Sequence, residues 1–374
     1  MATTNKITFF ASGNGDSVLL EAHGRTVMTD ICYRAGRCQD DGDDDALDFA
    51  PDIRAACPDD HLDILVLTHP DQDHLCGFGE VFHLGSPDDW DDDPEDGAVK
   101  IIVNEIRCSP YAADPHYTTD VSKPVIDEIK RRKTLRGTPA GDRDGNRLMI
   151  MDTDSHESGT VTGGLDWRLL APTPEEADIP KSDDPDKQNS SNPSSLVIRW
   201  TITVGGKASY VLLGGDSTVE VWERLHDEVL SDDPDALAWH ILLSLHHCSR
   251  RSIGRVANPD TKDEKFVPSP EAEAALGEQR GDGHVVASCN RIVRGGPTPP
   301  SYHAKNRYLK ILARGGDVTD DERARFLCTS GEEDGDKPEH VVFKFSASGP
   351  TRALMAAPFV ATTGSSSGRG GGYG

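Results

Sequence analysis

Thr68-His69-Pro70-Asp71-Gln72-Asp73-His74 follows directly on the apolar run Ile64–Leu67. A strand buried on both faces reads as such a run, and the loop at its end is where α/β proteins carry their chemistry. The stretch packs two imidazoles and two carboxylates into six positions, with Pro70 stiffening the turn. Four donors this close converge on a metal without help from distant chain. A solvated acidic loop would explain the aspartates alone. The other acidic runs, however, contain no histidine and follow no apolar strand.

Working outward, the same signal recurs twice. Ser209–Leu213 ends at Gly214-Gly215-Asp216, and Ala238–Leu245 ends at His246-His247. Gly-Gly-Asp alone also describes an ordinary turn, so Asp216 gains weight only from the other two. Three buried strands each ending in a donor predict one edge where all of them meet.

The remaining elements read as an α/β chain. Ile7–Ala11, Ser17–Ala22 and Thr26–Ile31 are expected as strands at hairpin spacing, Ala55–Leu62 as a weak helix, and Leu75–His83 as the start of another. Val99–Asn104 and Leu165–Leu170 read as strands, and Val121–Lys133 as a helix with a basic C-terminal end. Ser195–Val204 and Ser209–Leu213 form a hairpin about Gly205-Gly206. Val219–Leu230 has apolar residues at helical spacing, and Pro270–Gly277 and His303–Ala313 are further helices. Val341–Phe345 and Arg352–Met355 close the domain. Residues 89–164 are expected as an insertion, residues 1–361 as one hydrolase domain, and residues 362–374, rich in Gly and Ser, as a disordered tail.

The net charge of −25 is concentrated in runs such as Asp40–Asp48, Asp88–Asp96, Asp183–Asp186 and Glu332–Asp336. These read as solvated loops that favour solubility, also in a salt-rich cytoplasm. They argue against non-specific nucleic-acid binding by the whole surface, though not by one basic patch. No window approaches the roughly 18 apolar residues needed to span a bilayer. The eight cysteines include no Cys-x-x-Cys pair, and the first residues show no apolar leader. A cytoplasmic protein with free thiols is expected, with no membrane partner.

With these motifs in place, the chain resembles the metallo-β-lactamase fold, whose signature is His-x-His-x-Asp-His at a strand end. More narrowly it is similar to the hydrolase domain of ComEC-type DNA-uptake proteins, which carry an Asp where this chain has Asp71. Four further stretches support the resemblance: Gly13-Asn14-Gly15-Asp16-Ser17, Asn192–Arg199, Leu212–Asp216 and His246-His247-Cys248-Ser249. Ser301-Tyr302-His303 falls where the family has Gly-His-Pro. Cys248 stands in place of the family's glycine, and His83, His116 and His156 do not occupy its third-motif position.

The resemblance implies an α/β fold, a metallo-β-lactamase-like αββα four-layer sandwich, and a site for two divalent metal ions, Zn or Mn. His69 and Asp71 would face one ion. Asp73, His74 and His247 would face the other, with Asp216 bridging. His246 would either take the place of His247 or orient a ligand from behind. Asp73 and His303 are the candidate catalytic groups, and Arg250 and Arg251 the candidate substrate-binding ones. Arg255, Arg291, Arg294, Lys305, Arg307 and Lys310 extend a basic C-terminal third that would either grip a phosphodiester or pair with nearby carboxylates. The expected function is a metal-dependent phosphodiesterase or nuclease acting on nucleic acid or a nucleotide. A small-ester, lactone or thioester hydrolase of the same fold, or a non-catalytic regulatory partner, are the alternatives.

Overall fold

The computed structural model describes residues 4–34, 46–95, 97–182, 189–257 and 265–353. Cys38, the Asp183–Asp186 run, most of the Asp40–Asp48 run and the 362–374 tail lie outside the described residues.

The apolar runs become β1 (Lys6–Phe9), β2 (Val18–Ala22), β3 (Arg25–Thr29), β4 (His61–Leu67), β5 (Ile102–Cys108), β6 (Arg147–Ile150), β7 (Ser158–Thr162), β8 (Leu165–Ala171), β9 (Val197–Val204), β10 (Lys207–Leu213) and β11 (Trp239–Leu243). They continue with the ribbon β12 (Gly254–Ala257) and β13 (Lys265–Pro268), then β14 (Gln279–Ala287), β15 (Phe326–Cys328), β16 (Val341–Ser346) and β17 (Gly349–Ala353). Among the described residues, one eight-stranded sheet has the order β17-β16-β1-β2-β3-β4-β5-β6. A seven-stranded sheet has the order β15-β14-β11-β10-β9-β8-β7.

Side-chain alternation sorts the strands into layers. Ile64 and Val66 of β4 and Val211 and Leu213 of β10 join the core between the sheets, with Phe9, Val27, Ile198, Trp200 and Ile241. Leu65 and Leu67 turn the other way, onto α1 (Ala50–Ala56) and the helix Lys123–Leu135 through Ile53, Val125 and Ile129. Leu212 and Leu242 likewise back onto the helices Val219–Arg224, Pro270–Leu276 and Tyr302–Leu312 through Trp222, Leu276 and Tyr308. Helix, sheet, sheet, helix is the four-layer αββα sandwich expected from sequence. Burying each such side chain is worth about 1.5–3 kcal/mol, so the double-sided burial of Ile64–Leu67 locks β4 in register.

The structure differs from the sequence reading in places. The helix before β4 is Ala50–Ala56, with Pro51 in its first turn, while Leu62 belongs to the strand. The strand expected at Val99–Asn104 is β5, Ile102–Cys108. Residues 89–164, expected as an insertion, supply β5, β6 and β7, which are strands of both sheets. The apolar helix from Val219 runs to Arg224 and continues as a π-helical turn, Leu225–Leu230. No described helix is long and apolar enough to cross a membrane.

Candidate metal centre

Strands β3 and β4 run parallel, as do β10 and β11, and the C-terminal ends of these four meet at one edge of the sandwich. The Leu196 N–H donates to the Thr68 carbonyl at 3.0 Å and ties the edges of the two sheets together. Beyond β4 the chain makes a single turn of 3-10 helix, Gln72–His74, with the His74 N–H on the Asp71 carbonyl at 3.1 Å. This turn swings His74 back beside His69, their ring centroids 4.1 Å apart.

Asp30, one residue past β3, organises that turn. Its carboxylate accepts from the Thr68 N–H at 2.8 Å, from the Thr68 hydroxyl at 2.5 Å and from His74 Nδ1 at 2.7 Å. His74 therefore presents Nε2 to the centre. Such a carboxylate behind an imidazole fixes its tautomer and raises its basicity as a ligand.

Asp216 enters from β10. Gly215 before it has φ +48°, and a Cβ there would sit 2.7 Å from Thr68 Oγ1, so only glycine lets the two sheet edges close. The Gly215 carbonyl accepts the His246 N–H at 3.0 Å. His246, His247 and Cys248 then take three successive left-handed conformations, φ 48°, 50° and 62°. A non-glycine residue pays about 1–2 kcal/mol for each. This strain turns His246 and His247 to opposite sides of the Asp216 carboxylate.

On one side, Asp216 Oδ2 lies 3.3 Å from His246 Nε2 and 3.8 Å from His69 Nε2, which is itself 3.6 Å from Asp71 Oδ2. On the other side, Asp216 Oδ1 lies 3.2 Å from His74 Nε2 and 3.7 Å from His247 Nε2, which is 3.2 Å from Asp73 Oδ2. Behind the imidazoles, His247 Nδ1 faces the Ser288 carbonyl at 3.2 Å and Asp16 Oδ1 at 3.5 Å. The Asn192 amide contacts His246 Nδ1 at 3.2 Å. The Ser191 hydroxyl donates to Asp71. Asp71 and Asp73 keep 44% and 36% of their side-chain surface exposed and mark the open face.

The centre asks for positive charge. Burial would depress the His74 and His247 imidazoles. The carboxylates of Asp216 and Asp30 beside His74, and of Asp216 and Asp16 beside His247, outweigh it and hold both well above the usual range. Burial likewise opposes ionisation of Asp216, but His74, His247 and His246 keep it well below the usual carboxylate range. His246, facing fewer carboxylates, is lowered by burial. Meanwhile His69 Nε2, His74 Nε2, His247 Nε2, Asp216 Oδ1 and both Asp16 oxygens are buried without a hydrogen-bond partner. Orphaned polar atoms cost about 1–3 kcal/mol each. Inward-facing imidazole nitrogens around carboxylate oxygens are donors that divalent metal ions accept, so the residues fit such ions.

Other expected residues lie apart. Cys248 is buried, with its Sγ 3.9 Å from the Ser301 carbonyl, and packs in the helix-side core. His303 is exposed on the Tyr302–Leu312 helix, its ring 6.0 Å from Phe266, and no contact joins it to the cluster. His83 bonds the Ser86 carbonyl, His116 is exposed, and His156 is half-buried beside the Ser155 hydroxyl. Arg255, Arg291, Lys305 and Arg307 pair with Glu223, Asp334, Glu332 and Glu273, so these four serve ion pairing. Arg250 and Arg251 lie in the turn after Ser249, the Arg251 N–H on the Ser249 hydroxyl at 3.2 Å. Sequence reasoning gave no role to Asp30, Asp16 or Ser191. Asp30 sits one residue past an apolar strand, the same signal that singled out Asp216.

No family model and no curated protein matches this sequence. Solved structures do align with it. The metallo-β-lactamase fold protein YhfI from Bacillus subtilis is 11% identical, over 90% of this chain and 98% of that one, with TM-score 0.37. Igni18, a metallo hydrolase from Ignicoccus hospitalis, is 15% identical over 92% and 100%, with TM-score 0.42. A diphosphatase of the PhnP family is 10% identical over 91% and 98%, with TM-score 0.34. These are likenesses of architecture at low identity.

Proposed function

We propose that this protein is a metal-dependent phosphodiesterase that holds two divalent ions, zinc or manganese, and acts on DNA or a nucleotide. The observation that carries the reading is the position of Asp216, which turns one carboxylate oxygen to each of two groups of donors. His69, Asp71 and His246 would hold one ion, and Asp73, His74 and His247 the other. In this reading His246 would take the place for which the sequence offered no third-motif histidine. When bound, a pair of divalent ions supplies Lewis acidity and neutralises charge on a phosphoryl group.

The chain supplies the rest. Asp30 fixes the His74 tautomer, and the Ser288 carbonyl and Asp16 face His247 Nδ1. Asp73, at the open face, is held below the usual carboxylate range against its own burial by His247 and His74. It therefore stays ionised and can accept a hydrogen bond from an attacking water, orienting it toward a phosphorus. The resemblance to the ComEC-type hydrolase domain through Asp71 supports a nucleic-acid or nucleotide substrate.

The test is hydrolysis of bis(p-nitrophenyl) phosphate and of single- and double-stranded DNA by protein loaded with Mn²⁺ or Zn²⁺, with Asp216→Asn as control. Cleavage that the control lacks is expected. A fully loaded protein that cleaves no phosphodiester but opens a lactone or thioester would replace this reading by the small-ester one.

A further inference from the structure

A cleft of about 320 Å³ has a lining that includes Arg250, Arg294, Ser301, Tyr302, His303 and Asn306. We infer that this cleft is a phosphate-binding subsite that takes a phosphate of the substrate other than the scissile one. As a substrate subsite it rests on the phosphodiesterase reading; as a phosphate site it is testable alone.

Charge is the first argument. The chain has 64 Asp and Glu against 39 Lys and Arg, yet the described residues of this lining include two arginines and no carboxylate. Arg294 is exposed on its loop, its guanidinium 5.9 Å from the centre of the Tyr302 ring. A planar guanidinium offers paired N–H donors that match phosphate oxygens.

Ser301 is the second argument and is independent of the first. It is 1% exposed, it lines the cleft, and its hydroxyl has no hydrogen-bond partner. It precedes the eleven-residue helix Tyr302–Leu312 and stands at the position where a serine ordinarily caps the first turn, yet it makes no side-chain cap bond. A buried hydroxyl left idle at a helix start, in a cleft that Arg250 and Arg294 also line, is the arrangement a phosphate completes: the first-turn N–H groups and the dipole favour an anion there.

Position is the third argument. The Ser301 N–H donates to the Cys248 carbonyl at 2.9 Å, and Cys248 directly follows His247. Asn14, two residues before Asp16, bridges the same wall: its amide donates to the Pro299 carbonyl at 3.2 Å and it accepts from the Asn290 N–H at 2.9 Å. The cleft is therefore built on the backbone that carries a ligand of the centre, and a substrate spanning both needs more than one phosphate.

The test titrates inorganic phosphate calorimetrically into the metal-loaded full-length chain, and again after chelation. Phosphate held only by the ions is lost on chelation. A phosphate in this cleft stays bound, and Arg294→Ala, at an exposed position, and Ser301→Ala each weaken it about tenfold, the loss of one charge-assisted or buried hydrogen bond. Absence of chelation-resistant binding, or unchanged affinity in both variants, overturns the site. Should circular dichroism show that chelation unfolds the chain, the loaded Arg294→Ala protein decides, and unchanged phosphate affinity there overturns it equally. A protein that binds phosphate here yet hydrolyses no phosphodiester keeps the site and loses the phosphodiesterase reading.

Discussion

At the scale of single residues, Asp216 carries the most weight, because both halves of the centre lean on it. On the proposed two-ion reading, Asp216→Asn is expected to lose both ions and His246→Ala one; elemental analysis of purified variants distinguishes the two outcomes. The Asp30 carboxylate bonds His74 and Thr68 and belongs to neither donor group around Asp216, so Asp30→Ala leaves those two groups intact. It should still weaken metal affinity by about 10–100-fold, the usual cost of removing a carboxylate behind a ligating imidazole. A chelator competition that finds unchanged affinity would refute that role. Gly215→Ala places a methyl 2.7 Å from Thr68 Oγ1 at φ +48°. A loss of about 2 kcal/mol is expected from strain and overpacking, read as a lower urea midpoint.

At the scale of elements, the centre exists because four strands end at one edge, and for three of them, β4, β10 and β11, that was legible in sequence. Ile64–Leu67 and Val211–Leu213 are unbroken apolar runs stopping at polar donors, which fixes where strands end and chemistry begins. The division of labour between His246 and His247 was not legible. It depends on three successive left-handed residues, and neither His nor Cys announces positive φ as glycine does. The turn that carries Asp216 is braced by Trp222, fully buried, whose indole N–H donates to the Ser217 hydroxyl at 2.9 Å. Trp222→Phe keeps most of the apolar contact but drops that bond. A destabilisation of about 1–2 kcal/mol by thermal unfolding is expected; no change in Tm would show that the indole merely fills space.

At the scale of the whole molecule, charge and buried histidines set the response to solution conditions. Burial pushes His240 and His284 down to about 4, with Lys207 and Arg280 near the first and Arg325 and Arg352 near the second adding to it. Unfolded histidine titrates near ~6.5. Between about 6.5 and about 4 the unfolded chain thus binds more protons, so the stability these two residues protect is full above ~6.5 and lost as pH falls through that window. His240→Gln with His284→Gln should flatten Tm against pH there; an unchanged slope would assign the acid transition elsewhere. With a net charge of −25, added monovalent salt should raise Tm by screening self-repulsion, and a Tm independent of salt would count against it.

The sequence by itself determined the layers and the place of the centre, because burial period and strand ends are local properties of the chain. Only the tertiary structure decided which donors share a side of Asp216, that residues 89–164 complete both sheets, and that Arg255, Arg291, Lys305 and Arg307 pair with carboxylates while Arg250 and Arg294 line a cleft. Those are relations between residues up to hundreds of positions apart. No local pattern encodes them, since they follow from how two sheets and their connecting turns pack against each other.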